Sequence, residues 1–236
     1  MLKFIFTCLL LVELCISQQS HVKNNLPVID VFIESLCPDC MDFIGGSFKQ
    51  FQQAVDHQEL AVVNFYPYGN AHESWDGTAW NFDCQHGANE CYGNTIEACA
   101  LEHLSKEEGY NFLICIEGNI RRLSKDFDKT LEYCVSEQNI RKTILECAKG
   151  SEGNSLMHNV AQKTPNHNYV PWVHYNGVHD VNIENQILSN LLGFLRGQIK
   201  GADINATAFL STSANIENKS CYNHFGSKFE KLNFLQ

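Results

Sequence analysis

The chain has 236 residues, 44% of them hydrophobic, and its 27 Asp and Glu against 17 Lys and Arg leave a formal charge of −10 at pH 7. That balance excludes nucleic-acid binding through a basic surface. Protonating all ten histidines would bring the charge to about zero as pH falls through roughly 6.5, which suits an acidic compartment and equally suits scattered surface imidazoles with no pH role.

Residues 1–17 read as a signal peptide. Lys3 supplies the positive start, Phe4 to Leu14 the apolar stretch, and Cys15 and Ser17 the small residues before a cut after Ser17. No later segment approaches the roughly 18 consecutive apolar residues of a membrane span, so the mature protein is expected to be soluble and lumenal or secreted. Of eleven cysteines, Cys8 and Cys15 leave with the signal peptide, and the density of the rest suits an oxidising compartment.

Val28 to Ile33, nearly all apolar and β-branched, reads as a strand buried on both faces. Cys37-Pro38-Asp39-Cys40 follows directly. Met41, Ile44, Phe48, Phe51 and Val55 then recur at spacings of three and four, one face of a helix, with Gly45-Gly46 weakening its middle. Leu60 to Tyr66 reads as a second buried strand, ended by Pro67 and Gly69. The turn-rich stretch 70–83 is expected to form a small hairpin around Asp76-Gly77. From Cys84 to about Asn159 the chain reads as short amphipathic helices, with six cysteines, Cys84, Cys91, Cys99, Cys115, Cys134 and Cys147, placed to stiffen them as disulfides. Fifteen pairings of six cysteines remain open. Tyr169 to His179 reads as two strands joined across Asn176-Gly177, and Ile187, Leu188, Leu191, Leu192, Leu195 and Ile199 make one face of a closing helix. The tail from Gly201 has little periodicity and reads as a loosely packed extension.

Two cysteines separated by two residues at a strand-to-helix junction form a thioredoxin-type redox centre. A thiol at a helix N-terminus faces unpaired N–H groups and the positive end of the dipole, which favour thiolate; Pro38 fits the first helical position. Zinc binding would need a second ligand pair of similar spacing, and no second C-x-x-C exists, so no metal is expected. The order strand, C-x-x-C helix, strand, helical insert, hairpin, helix is that of an α/β thioredoxin-like fold with a disulfide-rich helical insertion. We expect the domain over residues 26–200, the insertion over about 84–165, and a C-terminal extension over 201–236.

Cys84-Gln85-His86-Gly87-Ala88-Asn89-Glu90-Cys91-Tyr92-Gly93-Asn94-Thr95-Ile96-Glu97-Ala98-Cys99 fits C-Q-H-G-x2-E-C-x2-N-x4-C at every fixed position. This resembles the signature of the gamma-interferon-inducible lysosomal thiol reductase (GILT) family, as do Tyr68-Gly69-Asn70-Ala71, Tyr169-Val170-Pro171-Trp172-Val173 and Asn176-Gly177. The resemblance implies a reductase that opens disulfides of unfolded proteins at acidic pH, with Cys37 and Cys40 as its reactive pair. It implies that Pro171 is a cis proline facing that pair, that the residues of the signature are structural, with His86 in packing or hydrogen bonding, and that the extension is trimmed as a propeptide.

In the expected mechanism Cys37 attacks a substrate disulfide as thiolate, and Cys40 resolves the mixed disulfide, leaving Cys37–Cys40 oxidised. No cofactor beyond this dithiol and a small-thiol reductant is implied. Asn205-Ala206-Thr207 and Asn218-Lys219-Ser220 are N-glycosylation sequons, and Cys221 is the odd cysteine, open to an intermolecular disulfide that would link two chains. Residence is lysosomal, endosomal or secreted. The rival readings are a disulfide oxidase of the same fold, which redox potential would distinguish, and a secreted binding factor without catalysis, against which the intact cysteine pair argues.

Overall fold

The computed structural model describes residues 26–217, with side chains described through Lys200. Strand β1 (Val28–Ile33) lies at the centre of a three-stranded sheet, parallel to β2 (Val62–Pro67) and antiparallel to β5 (Trp172–Tyr175). Its central place explains its composition: Ile29, Val31, Phe32 and Ile33 are all buried, as two covered faces require. Asp30 is the exception, and it accepts hydrogen bonds from Asn64 Nδ2 (2.8 Å) and the Tyr66 hydroxyl (3.3 Å) on β2.

Parallel strands need a crossover, and the residues after Cys37 supply it: α1 (Pro38–Phe43), a π turn (Ile44–Phe48), α2 (Lys49–Gln52) and α3 (His57–Leu60). Gly45 and Gly46 sit inside the π turn, so the helix widens there without breaking. Met41, Ile44, Phe48 and Phe51 form the expected buried face, whereas Val55 is fully exposed. The helix ends at Gln52, and beyond that point its periodicity no longer governs which way a side chain faces.

Residues 72–83 form the expected hairpin, β3 (His72–Trp75) against β4 (Trp80–Asp83). Asp76 Oδ1 accepts from the backbone N–H of Thr78 and Ala79 and closes the turn. Then come α4 (Ala88–His103), α5 (Lys106–Asn119), α6 (Phe127–Cys134), α7 (Gln138–Lys149) and α8 (Ser151–Lys163). They enclose a second core of Ile96, Phe112, Ile116, Ile120, Phe127, Leu131 and Ile144. Three disulfides lock this block: Cys84–Cys91, Cys99–Cys147 and Cys115–Cys134.

The second expected hairpin is truncated. Asn176 and Gly177 have the positive φ of a tight turn, 51° and 80°, but beyond it only a single bridge, Tyr175 to Val178, forms. Asp180 Oδ1 accepts from the N–H groups of Asn182 and Ile183, capping α9 (Val181–Glu217) and turning the chain into helix before a strand can extend. Helix α9 kinks at Asn190 (φ −158°, ψ 78°) for a visible reason. Ser47 Oγ donates to Ile187 O (2.7 Å) and accepts from Leu191 N (2.8 Å), inserting itself into what would be an i→i−4 bond of the helix. The expectation of an aperiodic tail from Gly201 is corrected: the backbone stays helical to Glu217, a stretch with four alanines and no proline. The signal peptide, Asn218 and Cys221 lie outside the described residues; Asn205 falls on the α9 backbone.

The fold is therefore mixed α/β and helix-rich, with two small sheets among the described residues. No helix among the described residues is long and apolar enough to cross a membrane.

Candidate active site

Chain geometry between β1 and α1 sets the site. Leu36 adopts φ 68°, a left-handed conformation costly for a branched side chain, and buries that side chain beside Met41 and Ile96. The turn leaves Cys37 as N-cap of α1, with Pro38 in the first turn. Cys37 Sγ accepts from the Cys40 N–H at 3.4 Å and lies 3.9 Å from Val170 O, the carbonyl that precedes the cis peptide to Pro171. Both cysteines are free thiols. Cys37 is 6% exposed and Cys40 fully buried.

The two thiols are driven apart electrostatically. The Cys40 side chain, hydrogen-bonded to Cys37, lowers the Cys37 pKa to about 7; burial opposes this, the backbone N–H groups of Cys40 and Asp39 assist it, and the charge of Glu34 opposes it. Burial pushes the Cys40 thiol well up, and its hydrogen bond to Cys37 and the Cys37 charge push it further. One sulfur is thus prepared to be a thiolate and the other to hold its proton.

The loop Glu34–Leu36 is clamped from two sides. Glu34 Oε2 accepts from Asn70 N (2.8 Å) and Asn70 Nδ2 (3.1 Å). Gly69, at φ 57°, makes room for this, since a Cβ there would lie 2.3 Å from Glu34 Oε2. On the other side α4 presents Glu90, Asn94 and Glu97, spaced four and three residues apart and all fully buried. Asn94 Oδ1 accepts from Ser35 N at 2.7 Å, and Glu97 Oε1 accepts from Ser35 Oγ at 3.1 Å. Glu90 Oε2 accepts from the His86 backbone N–H at 2.7 Å and pairs with His86 Nδ1, which stands 3.7 Å from Glu34 Oε1. Much of the signature around Cys84 thereby forms a scaffold for the residues that precede the redox motif.

Among the described residues, Glu34, His86 and Glu90 offer one ligand atom each within 4.8 Å of one another, a grouping with the donor types to hold a cation. Burial raises the Glu34 carboxyl above the usual carboxylate range, against the two Asn70 hydrogen bonds.

Cys37, Cys40 and Val170, the residue before Pro171, come together in one cluster, although Val170 lies more than a hundred residues away in sequence. The six cysteines of the helical block do not join them and pair with one another. Sequence reasoning missed Glu34, Ser35, Glu97 and, on α5, Glu117, whereas Asn94 is a fixed residue of the signature expected to be structural. The signal was an acid on a buried helix face: Glu97 lies between Ile96 and Ala98, and Glu117 follows Ile116.

The profile of the family "Gamma interferon inducible lysosomal thiol reductase (GILT)" matches residues 28–138. The goldfish (Carassius auratus) gamma-interferon-inducible lysosomal thiol reductase is 33% identical over 193 residues, 78% of this chain and 73% of the relative. The chain belongs to the GILT family. The mouse reductase of the same name is 34% identical over 169 residues, 68% of this chain and 65% of the relative. An Arabidopsis thaliana gamma-interferon-responsive lysosomal thiol protein is 34% identical over 181 residues, covering 73% and 70%. The GILT profile takes in Cys37, Cys40, the whole Cys84 signature and Glu117, and stops before Pro171.

Proposed function

We propose that this protein is a thiol–disulfide reductase that opens disulfides of unfolded proteins through Cys37 and Cys40. The observation that carries the reading is the split between the two thiols: Cys37 is an N-cap lowered to about 7, and Cys40 is fully buried and raised beside it. Cys37 attacks as thiolate and takes one substrate sulfur into a mixed disulfide, and the other substrate sulfur leaves as thiol. Cys40 then attacks Cys37 Sγ, the second substrate sulfur leaves, and the enzyme is left as the Cys37–Cys40 disulfide for a small thiol to reduce. The Val170 carbonyl and Pro171 form the wall against which an extended substrate strand would lie.

The rest of the reading follows the same family logic. The fold is thioredoxin-like over residues 26–200, with residues of about 84–165 as its disulfide-locked insertion. The signal peptide sends the chain into the secretory pathway, to a lysosome, an endosome or the exterior, with glycans on Asn205 and Asn218 and Cys221 available to link two chains. No cofactor is needed beyond the dithiol and its small-thiol reductant.

The test is reduction of a denatured disulfide protein by a small thiol at about pH 5 and about pH 7, wild type beside Cys37→Ser, with Cys40→Ser examined for adducts. The reading expects activity that Cys37→Ser abolishes and mixed disulfides trapped by Cys40→Ser. Activity retained by Cys37→Ser would sink it.

A further inference from the structure

Two carboxyls and an imidazole meet where the turn before α4 packs on the loop before Cys37. Glu34 and Glu90 are 2% and 0% exposed. His86 Nδ1 lies 2.5 Å from Glu90 Oε2 and 3.7 Å from Glu34 Oε1. Glu90 Oε2 also accepts from the His86 backbone N–H, but Glu90 Oε1, on the same carboxyl, is buried and meets no hydrogen-bond partner. Among the described residues no Lys or Arg forms an ion pair with either acid, and His86 alone does. A buried carboxylate with an unpartnered oxygen is costly, and buried charges are normally paired or bound to a metal.

Each donor is held from outside the cluster. Asn70 N and Nδ2 fix Glu34 through Oε2, at 2.8 and 3.1 Å, while Oε1 is the oxygen nearer His86. Asn70 Nδ2 donates in turn to Gln85 Oε1 at 2.8 Å, beside His86 in the chain. The Cys84–Cys91 disulfide closes the short loop that carries both His86 and Glu90. Such support behind the donors is what orients metal ligands. Two donors about 2.0–2.1 Å from one tetrahedral ion lie about 3.3 Å apart, and the two distances at His86 Nδ1 bracket that value. Admitting an ion therefore asks for side-chain shifts and leaves the backbone in place. The His86 side chain is 36% exposed, which gives an ion its entry path. A second grouping, His103, Cys147 and Glu152, lacks this chemistry, because Cys147 is bonded to Cys99 and has no thiolate to give.

We propose that Glu34, His86 and Glu90 form a zinc-binding site joining the turn before α4 to the loop before Cys37. The imidazole selects a transition metal over calcium or magnesium, and the two carboxylates balance the double positive charge. Three protein donors leave the fourth position of a tetrahedral ion to water on the exposed side of His86. Binding needs neither thiol and involves no electron transfer. The expectation of no metal rested on the spacing of C-x-x-C pairs, to which these three residues are unrelated.

The experiment is calorimetric titration of the full chain with zinc chloride at about pH 7. The chain is first oxidised at Cys37–Cys40 and then alkylated, so that no thiol competes for the metal. Wild type should take up one ion with a Kd in the micromolar range or tighter. Asn70→Ala, which releases Glu34 Oε2, should weaken binding about 10- to 100-fold, and His86→Ala and Glu90→Gln should weaken it further, whereas His103→Ala should bind as wild type does. Zinc should raise the thermal midpoint of wild type and leave that of His86→Ala unmoved. X-ray absorption of the wild-type complex should show nitrogen and oxygen neighbours at about 2.0–2.1 Å, with the scattering pattern of an imidazole. The partly exposed His86 carries the test if Glu90→Gln fails to fold. No saturable binding by wild type below about 1 mM, an affinity unchanged in His86→Ala, or a spectrum without imidazole would overturn the proposal.

Discussion

Replacing Cys40 by alanine removes the thiol that donates to Cys37 Sγ, the largest of the influences that bring Cys37 to about 7 from an ordinary 9.0. The backbone N–H groups of Cys40 and Asp39 remain, and so does burial, so the Cys37 pKa should rise toward the ordinary value without a change of fold. At pH 5 a thiol of pKa about 7 is about 1% thiolate, and one of pKa about 9 is about 0.01%. Part of that hundredfold difference returns, because the more basic thiolate is the better nucleophile, with a Brønsted coefficient of about 0.4–0.5. The net loss of alkylation rate at pH 5 is then about tenfold if the whole depression disappears and about threefold if half does. Thiolate ultraviolet absorbance gives the titration, and iodoacetamide alkylation of Cys37 followed by mass spectrometry gives the rate. Cys40→Ser keeps an O–H donor and should fall between wild type and Cys40→Ala. Cys40→Ala titrating at the wild-type midpoint would refute the reasoning and assign the whole effect to the helix N-terminus.

Glu34, Glu97 and Glu117 are all raised by burial, so the folded chain holds protons that the unfolded chain gives up above about 4.5. Their stabilisation is complete below that value and is lost as pH rises through the raised ones, at up to about 1.4 kcal/mol per proton per pH unit. The thermal midpoint should therefore fall from about pH 5 to about pH 7, with a flatter slope in Glu117→Gln; a midpoint that climbs with pH over that range contradicts this. Gly93→Ala places a Cβ 2.2 Å from Phe127 Cζ, and Phe127 is buried with nowhere to retreat. Urea unfolding should show a loss of about 1–3 kcal/mol, typical of an overpacked core, and no loss would mean the α4–α6 packing is looser than described. Among the disulfides, Cys99–Cys147 spans 48 residues, Cys115–Cys134 spans 19 and Cys84–Cys91 spans 7. Chain entropy ranks their removal at about 4, 3 and 2.4 kcal/mol, and pairwise Cys→Ala variants in denaturant titrations should keep that order.

The legible parts of the fold were those decided by local pattern. The apolar run of β1, the 3.6 period after Cys40 and the Asp76-Gly77 turn each lie within a window of a dozen residues, and all appear where expected. Errors arose where a distant residue intervened. Val55 matches the helical period, but the helix ends before reaching it. The strand after Gly177 loses to the Asp180 cap. The kink in α9 is owed to Ser47, about 140 residues earlier in the chain, and no periodicity within α9 reports it.

The same division runs through the site. Residue type and spacing alone determined that a C-x-x-C pair follows a buried strand, that Cys37 heads a helix, and that the Cys84 signature carries the family, because these depend on backbone geometry over a few residues. The pairing of the six other cysteines, the approach of the Val170 carbonyl to Cys37, and the seating of Glu34 on Asn70 and of Ser35 on Asn94 and Glu97 were decided by tertiary packing. Contacts between residues tens to more than a hundred positions apart leave no local periodicity to read. Glu97 is the clearest case: it lies between Ile96 and Ala98 on α4, and only the packing of that helix against the loop before Cys37 gives its carboxyl a partner, the Ser35 hydroxyl.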